Sequence, residues 1–414
     1  MGADLSPGFV ATATRGLEEH HIDAWLLYDF RAKNTLAADL LGIPDGQKRR
    51  YFVLLRPGEP PLAIVQKIEV SGWDGWPWDL VAYLGWDELE TALRANLEGC
   101  ATVAMEVSPG DAIPYIDHVP AGVVELVESV GPRVVSSVDL ISSTAAQWSP
   151  RGHELHHEAA DILARTARSA FELAARAAGL EAAPTDETAP GWDISHEPTP
   201  VDEHDLAEWV RDRLASEGLT EGDTIIAVGP NAAKPHYTPE PGTSLAFEPG
   251  QVFMVDLWGK TAGEPDAVFA DQTWMGVLGP DVADEVRVAW EAIRDARETA
   301  IEAIRSNPGA TGADADRAAR GVLIERGFEE AIFHRTGHGI DRDIHGVGPT
   351  LDSIEMKDDR RLVPGVGFSV EPGVYLEGRF GLRTEVDVYM RDDGPEVTPP
   401  RVQNTLWTAA RADS

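Results

Sequence analysis

Two runs, Val252-Phe253-Met254-Val255-Asp256-Leu257-Trp258 and Ala270-Asp271-Gln272-Thr273-Trp274-Met275, each set an aspartate inside an apolar strand pattern. The first reads as a strand over Val252–Trp258, the second as its return strand over Val268–Val277, forming a hairpin. Two similar placements follow downstream. Glu371 succeeds Phe368-Ser369-Val370 and precedes Pro372-Gly373, and Glu385 lies inside Leu382-Arg383-Thr384-Glu385-Val386. A carboxylate in a buried strand costs several kcal/mol unless it is paired or bound to a cation. Four such groups need compensating positive charge, and metal ions supply it economically.

His338, in Thr336-Gly337-His338-Gly339-Ile340, joins the set, with flanking glycines that permit close backbone approach. Two Asp, two Glu and one His, dominated by hard oxygens, suit a bridged pair of divalent ions rather than a thiolate-type zinc site. Manganese is the first expectation, with cobalt, iron or zinc as alternatives. Such a pair lowers the pKa of a shared water and clamps the attacking and leaving oxygens of a difficult hydrolysis.

Outward from this region, helices are expected over His153–Gly179, Glu203–Glu217, Asp284–Arg305 and Asp314–Arg326. Further strands are expected over Thr224–Val228, Gly367–Glu371 and Leu382–Met390. Glu181–Thr199, rich in Pro, Thr and acids, reads as a loop or lid. A boundary falls near Ser143–Gly152, where small residues and Pro150 precede the first long helix. Before it, Ala24–Tyr28, Tyr51–Leu55, Leu62–Val65 and Ala101–Met105 read as strands. Phe9–His20, Ala32–Leu41 and Asp87–Leu97 read as helices between them. Trp73, Trp76, Trp78 and Trp86 are expected as one aromatic knot, in a core or a subunit interface. The organisation is therefore α+β, with an α/β domain over 1–146 and a second domain over 150–414.

With 414 residues, 43% of them hydrophobic and 25% charged, the chain has enough apolar content for two to three cores and is not disordered. Its net charge of −35 repels phosphate, which argues against nucleic acid and anionic membranes as partners. Cys100 is the single cysteine, so an intramolecular disulfide and a cysteine-based zinc site are both excluded. The N-terminus shows no secretory pattern and no segment reaches ~18 uninterrupted apolar residues, so a soluble cytoplasmic protein is expected. Only six of the 35 basic residues are lysines. That balance suits a high-salt cytoplasm, and it suits an Arg-rich, GC-rich genome equally well.

Several segments together carry a family resemblance: Asn231-Ala232-Ala233-Lys234-Pro235-His236, Val255-Asp256-Leu257, Ala270-Asp271-Gln272-Thr273, Gly337-His338-Gly339-Ile340, His345, Val370-Glu371-Pro372-Gly373 and Gly381-Leu382-Arg383-Thr384-Glu385. In this order they resemble the signature of the pita-bread metallopeptidases, the family of methionine aminopeptidase, aminopeptidase P, prolidase and the metal-free creatinases. The resemblance spans about Pro150 to Arg401, and the preceding residues resemble the creatinase-type N-terminal domain more weakly.

The resemblance implies a pita-bread catalytic domain with Asp256, Asp271, His338, Glu371 and Glu385 as metal ligands. It also makes Glu371 the proton shuttle for an attacking hydroxide. His236 and His345 would face the substrate, stabilise the tetrahedral intermediate and help protonate the leaving nitrogen. Arg383, two residues before Glu385 and so on its face of a strand, would grip a substrate carboxylate or orient the ligand Glu. The implied activity is hydrolysis of a short Xaa-Pro peptide, as dipeptidase or aminopeptidase, by a homodimer whose N-terminal domain narrows the pocket. Retention of all five ligands disfavours a binding-only module and metal-free C–N hydrolysis, while a small amide or osmolyte stays open as substrate.

Three departures bear on substrate identity. Asp256 and Asp271 stand fifteen residues apart (271 − 256), a longer hairpin than usual, with Lys260-Thr261-Ala262-Gly263-Glu264-Pro265 as the extra residues. Asp266 is the alternative second ligand, but Asp271 is preferred for its strand context and following Thr. His345 is followed by Gly346-Val347-Gly348 instead of Glu-Gly-Pro, and Glu181–Thr199 looks inserted. Separately, His153-Glu154-Leu155-His156-His157 satisfies the zinc-protease pattern H-E-x-x-H. It stands on a first helical turn expected to be solvated, with no convincing third ligand after it, so it reads as a decoy whose removal leaves activity intact.

Overall fold

Each of the four apolar runs of the N-terminal half becomes a strand, because short continuous apolar runs between turn signals suit strands buried on both faces. The computed structural model describes residues 7–43, 47–185 and 190–411, and the chain divides into two units, Met1–Ala146 and Gln147–Ser414. The first unit runs α1 (Pro7–Glu19), β1 (Ala24–Asp29), α2 (Thr35–Leu41), β2 (Tyr51–Leu55), β3 (Leu62–Gln66), β4 (Asp79–Tyr83), α3 (Trp86–Asn96), β5 (Thr102–Met105), α4 (Ala121–Ser129), β6 (Arg133–Ser136) and α5 (Val138–Ser142). The strands form one mixed sheet in the order β4-β3-β2-β1-β5-β6. Leu26, Phe52, Ile64 and Val103 pack from the sheet against Leu89, Leu93, Val123 and Val127.

Two expectations in this unit need correction. The helix expected from Ala32 starts only at Thr35, because Asn34 caps it by accepting from Ala37 N at 3.0 Å and Ala32 has a positive φ of 54°. The tryptophan knot holds three rings, not four. Trp73, Trp76 and Trp78 meet edge to face at 5.2 and 5.1 Å, while exposed Trp86 lies apart under the Arg50 guanidinium.

The second unit opens with α6 (Pro150–Ala177), whose Ser149 cap accepts from Gly152 N at 2.9 Å and whose Pro150 loses nothing in the first turn. Then follow β7 (Glu181–Ala182), α7 (Glu203–Ser216), β8 (Leu219–Val228), β9 (Val252–Thr261), β10 (Ala270–Val277), α8 (Asp284–Ser306), α9 (Gly312–Glu325), β11 (Gly339–Ile340), β12 (Gly367–Val370), β13 (Gly373–Leu376), β14 (Phe380–Arg383), β15 (Val386–Arg391), β16 (Gly394–Thr398) and β17 (Trp407–Ala410). Three sheets result, ordered β7-β17-β10-β9-β8, β11-β12-β15-β16 and β13-β14. The buried face of α6, with Leu163, Ala167 and Phe171, packs on Phe253 and Val255 of β9. None of the described helices is long and apolar enough to cross a membrane.

The single strand expected over Leu382–Met390 is two. It breaks at Thr384-Glu385, so β14 pairs with β13 and β15 with β12 and β16. The Glu181–Thr199 segment is not a free lid where it is described. Glu181–Ala182 pairs with β17, and Trp192 donates to Ser169 Oγ at 2.7 Å and Thr166 Oγ1 at 3.0 Å on α6. Residues 186–189 of that expected loop lie outside the described residues.

Candidate metal centre

In the β9–β10 hairpin the register sets Thr273 opposite Asp256, and β10 is buried along its whole length. Both aspartates are buried, so the carboxylates that interrupt the apolar runs do enter the interior. Glu385 arrives from the break between β14 and β15, where Thr273 Oγ1 lies 2.7 Å from its Oε2 and 3.1 Å from Asp256 Oδ1. His338 precedes β11, with Nε2 at 3.5 Å from Asp271 Oδ2 and 3.7 Å from Glu371 Oε1. Asp271, His338 and Glu385 offer ligand atoms within 4.8 Å of one another. The five residues singled out in the sequence thus converge from four stretches of backbone.

Local devices hold them there. Gly337 cannot be another residue, since a Cβ would stand 2.0 Å from Ser369 O, and this close approach lets His338 sit against β12. Thr336, next in the loop, donates through N at 3.0 Å and Oγ1 at 2.6 Å to buried Asp316. Gly381 meets Ala232 O at 2.1 Å from its would-be Cβ, which seats β14 against the segment that leads to His236. That segment is itself held by Glu203, a buried acceptor of Val228 N, Asn231 Nδ2, Tyr237 Oη and Leu245 N at 2.7–2.9 Å.

The electrostatics ask for cations. Burial pushes the Asp256 carboxyl up to about 7, against the pull of Arg383 and with the added push of Asp271 and Glu371. Glu385 is likewise raised, first by burial and then by the charges of Asp271, Glu371 and Asp256, and Asp271 is raised by burial against the pull of His338. Glu371 goes the other way: burial raises it, but His334, His338 and Arg383 together bring it below the ordinary range. His338 is raised, because its hydrogen bond to Asp271 and the charge of Glu371 outweigh burial. Asp387 of β15 adds a fifth buried carboxylate, raised by burial, whose Oδ2 accepts from Asp271 N at 3.0 Å. Arg383, Arg335 and a protonated His338 cannot balance five carboxylates, and Asp271 Oδ1 is buried without a hydrogen-bond partner. A hard-donor set with an orphaned buried oxygen fits divalent cations.

Arg383 is buried and donates through Nη2 to Asp256 Oδ2 and through Nε to Thr273 Oγ1 at 3.0 Å. Of the two roles left open for it, the geometry supports orienting a carboxylate. That carboxylate is Asp256, and the shared-face argument lapses because β14 ends at Arg383. His345 keeps part of its surface in solvent while its ring packs 4.4 Å from that of His338, and this partial burial of the imidazole together with the charge of His338 lowers it to about 4. Its loop is pinned by Arg360, which donates at 2.7 Å to Val347 O and to Gly348 O, and by Asp341, which accepts from Val347 N at 2.9 Å. His236 is exposed in the turn after Pro235. Asp266 is exposed in the hairpin turn, away from the cluster, and Lys260 of the extra residues donates to Arg342 O at 2.7 Å in the loop leading to His345.

Four participants escaped the sequence reading: His334, Tyr375, His156 and Asp387. His334 donates from Nδ1 to Arg335 O, so its Nε2 accepts from Tyr375 Oη, both at 2.7 Å. Its charged form is disfavoured by burial. The third is His156, fully buried on α6, which donates from Nδ1 to Phe269 O at 2.8 Å and turns Nε2 toward Asp387 Oδ2 at 3.6 Å, directly behind Asp271. The signal for Asp387 was present, since Val386-Asp387-Val388 is one more acid in an apolar run.

The model of metallopeptidase family M24 matches residues 154–392. A probable dipeptidase PepE of Mycobacterium tuberculosis is 36% identical over 193 residues, 46% of this chain and 48% of that protein. An Xaa-Pro dipeptidase of Lactobacillus delbrueckii subsp. lactis is 33% identical over 175 residues, 42% of this chain and 44% of that protein. The matched stretches thus span about half the length of these curated relatives. Among solved structures, dipeptidase PepE from Mycobacterium ulcerans superposes with a TM-score of 0.70 at 22% identity, covering 99% of this chain and 100% of that one. The prolidase from Pyrococcus horikoshii gives 0.59 at 20% identity, covering 96% and 99%. The fold is the pita-bread arrangement with a preceding α/β domain that the sequence led us to expect.

Proposed function

Because this chain belongs to metallopeptidase family M24, we propose that it hydrolyses short peptides at an Xaa-Pro bond with two divalent cations held by Asp256, Asp271, His338, Glu371 and Glu385. The observation that carries this reading is the convergence of those five groups around a buried, charge-unbalanced centre with an orphaned Asp271 Oδ1. The names of the relatives supply the Xaa-Pro class. Bound there, the cations would balance the carboxylates, act as Lewis acids and acidify a water, with manganese as our first choice.

The chain's own residues supply the rest. Glu371, kept ionised by its basic neighbours, takes the proton of the attacking water on a carboxylate oxygen and passes it toward the leaving nitrogen. His345 and His236 at the rim donate to the developing oxyanion and the leaving group. Tyr375 and His334, hydrogen-bonded at 2.7 Å, close the wall beside Arg383. The imide nitrogen of an Xaa-Pro bond carries no N–H, so the site needs no acceptor for one. A homodimer belongs to the same proposal, and equilibrium sedimentation at micromolar concentration tests it.

Metal analysis of the purified protein and a panel of Xaa-Pro dipeptides, longer Xaa-Pro peptides and non-peptide amides, with and without Mn²⁺, test the reading. Hydrolysis of the dipeptides or the peptides supports it and separates dipeptidase from aminopeptidase. Turnover of amides alone would replace it. We expect Glu371→Ala and His338→Ala each to lower kcat at least ~10³-fold and to reduce bound metal. Full metal content and full turnover in both would dismantle the assignment.

A further inference from the structure

The H-E-x-x-H segment has a different fate from the solvated turn expected of it. His153 and His157, one turn apart on α6, bring their Nε2 atoms to 3.3 Å of each other. Glu396 of β16 meets both, its Oε1 at 2.8 Å from His157 Nε2 and 3.5 Å from His153 Nε2. The third ligand absent from the following sequence is thus supplied by a strand more than two hundred residues downstream. The three side chains are only 22%, 36% and 23% exposed.

Three donor atoms aimed at one point leave a gap that protons fill poorly. With both imidazoles protonated on Nε2, Glu396 Oε1 can accept from each, but the two Nε2 atoms at 3.3 Å then turn hydrogens on one another. A tetrahedral zinc ion with donors at about 2.0–2.2 Å holds them roughly 3.3–3.5 Å apart, which is the separation seen in two of the three pairs. The third pair needs to open by about half an ångström, within the freedom of a carboxylate. Neighbours already fix the ligands. The His153 ring lies 4.4 Å from that of Tyr389, the cross-strand partner of Glu396. Arg391 holds Glu396 Oε2 at 2.5 Å, which leaves Oε1 for an ion. A cleft of about 330 Å³ opens beside His157, lined by Asp161, Thr398 and Pro399, with room for a solvent ligand in the fourth position.

We propose that His153, His157 and Glu396 form a second metal site, separate from the carboxylate-rich centre, for a borderline divalent ion such as Zn²⁺. Two imidazoles and one carboxylate favour zinc over manganese, whereas the central donor set is mostly hard oxygen. The site is a clamp between the first turns of α6 and the β15–β16 hairpin, not a zinc-protease centre. Glu154, which would be the base of such a centre, is 66% exposed and turned to Arg151 at 3.1 Å. The inference stands apart from the peptidase reading.

The full-length protein, stripped of metal and equilibrated with Zn²⁺, is compared with His157→Ala and with the milder Glu396→Gln, circular dichroism confirming the fold. Wild type should retain one more zinc per chain than either variant, with the extra ion weakened more than about 100-fold, beyond the loss of an outer partner. Reloading with Co²⁺ should give a wild-type minus variant difference spectrum with the visible bands of a tetrahedral site. Mn²⁺-supported turnover should be unchanged in His157→Ala. His338→Ala should keep the extra zinc, which separates this site from the central one. Equal zinc content and a blank difference spectrum in either folded variant would overturn the proposal, as would loss of the extra ion in His338→Ala.

Discussion

A hydroxyl has one proton to give, and Thr273 Oγ1 has two carboxylates within reach, Glu385 at 2.7 Å and Asp256 at 3.1 Å, while Arg383 Nε donates into it at 3.0 Å. One of the two acidic contacts therefore needs a proton or a cation of its own, which is the local form of the charge imbalance at the centre. Thr273 orients both carboxylates without being a ligand in our scheme, so its removal should be felt as metal affinity. We expect Thr273→Val, nearly the same shape, to weaken binding of the catalytic ions about 10–100-fold. Excess Mn²⁺ should restore most turnover, and Thr273→Ser should behave as wild type. A titration of activity against Mn²⁺ checks this. An unchanged midpoint in Thr273→Val would show that the hydroxyl merely fills space.

At the scale of elements, the loop before β11 is shaped by a backbone contact. Adding a Cβ at Gly337 would place it 2.0 Å from Ser369 O and 2.8 Å from the attached carbon, both main-chain atoms that β12 holds in place. Gly337→Ala should therefore displace His338 rather than β12, with kcat falling at least ~10²-fold and the melting temperature dropping, since overpacking costs about 1–3 kcal/mol. Normal turnover in a folded Gly337→Ala would mean that the loop yields freely. This approach was half legible in the sequence, where glycines flanking His338 suggested close packing but could not name Ser369. The hairpin and the aspartates were legible because an acid in an apolar strand conflicts with burial and so announces compensation. The break at Thr384-Glu385 was hidden, because Leu382–Met390 keeps strand-like composition throughout and only tertiary pairing tells β14 from β15. Glu396 was invisible for a similar reason, since nothing local to an exposed-looking hairpin points to two histidines on α6. Glu106, just after β5, shows the same logic in the first unit. It is fully buried and accepts from Trp25 Nε1 at 2.6 Å and Asn34 Nδ2 at 2.9 Å. Burial, partly offset by these bonds, raises it from 4.5 to about 7. The folded form then holds a proton that the unfolded form releases, so this group's stabilisation is complete below pH 4.5 and lost as pH rises through 7. Glu106→Gln should flatten that decline, worth about 3 kcal/mol, in denaturant titrations between these limits. An identical slope in wild type and variant would mean the group is ionised throughout.

For the whole molecule the governing quantity is the surplus of acid. With 70 acidic and 35 basic residues, pairing every base would still leave 70 − 35 = 35 carboxylates without one. Several of the pairs that form among the described residues are exposed arginines one helical turn from an acid, as in Arg94–Glu90, Arg287–Glu291 and Arg305–Glu302. Each such pair contributes ~0.3–0.5 kcal/mol at most. Salt weakens both the pairs and the repulsion, so the sign of its effect reports which is larger. The repulsion is long-ranged and summed over the surface, and the Debye length falls from about 10 Å at 0.1 M to about 3 Å at 1 M. Repulsion should therefore dominate. We expect the melting temperature to rise by about 3 °C or more between 0.05 and 1 M KCl, roughly 1 kcal/mol for units of this size. KCl is the right salt, because sulfate would add surface exclusion to screening. A melting temperature that stays flat or falls would mean that the local pairs outweigh the surplus. In that case the acidity would reflect genome composition, with no need for a salty interior.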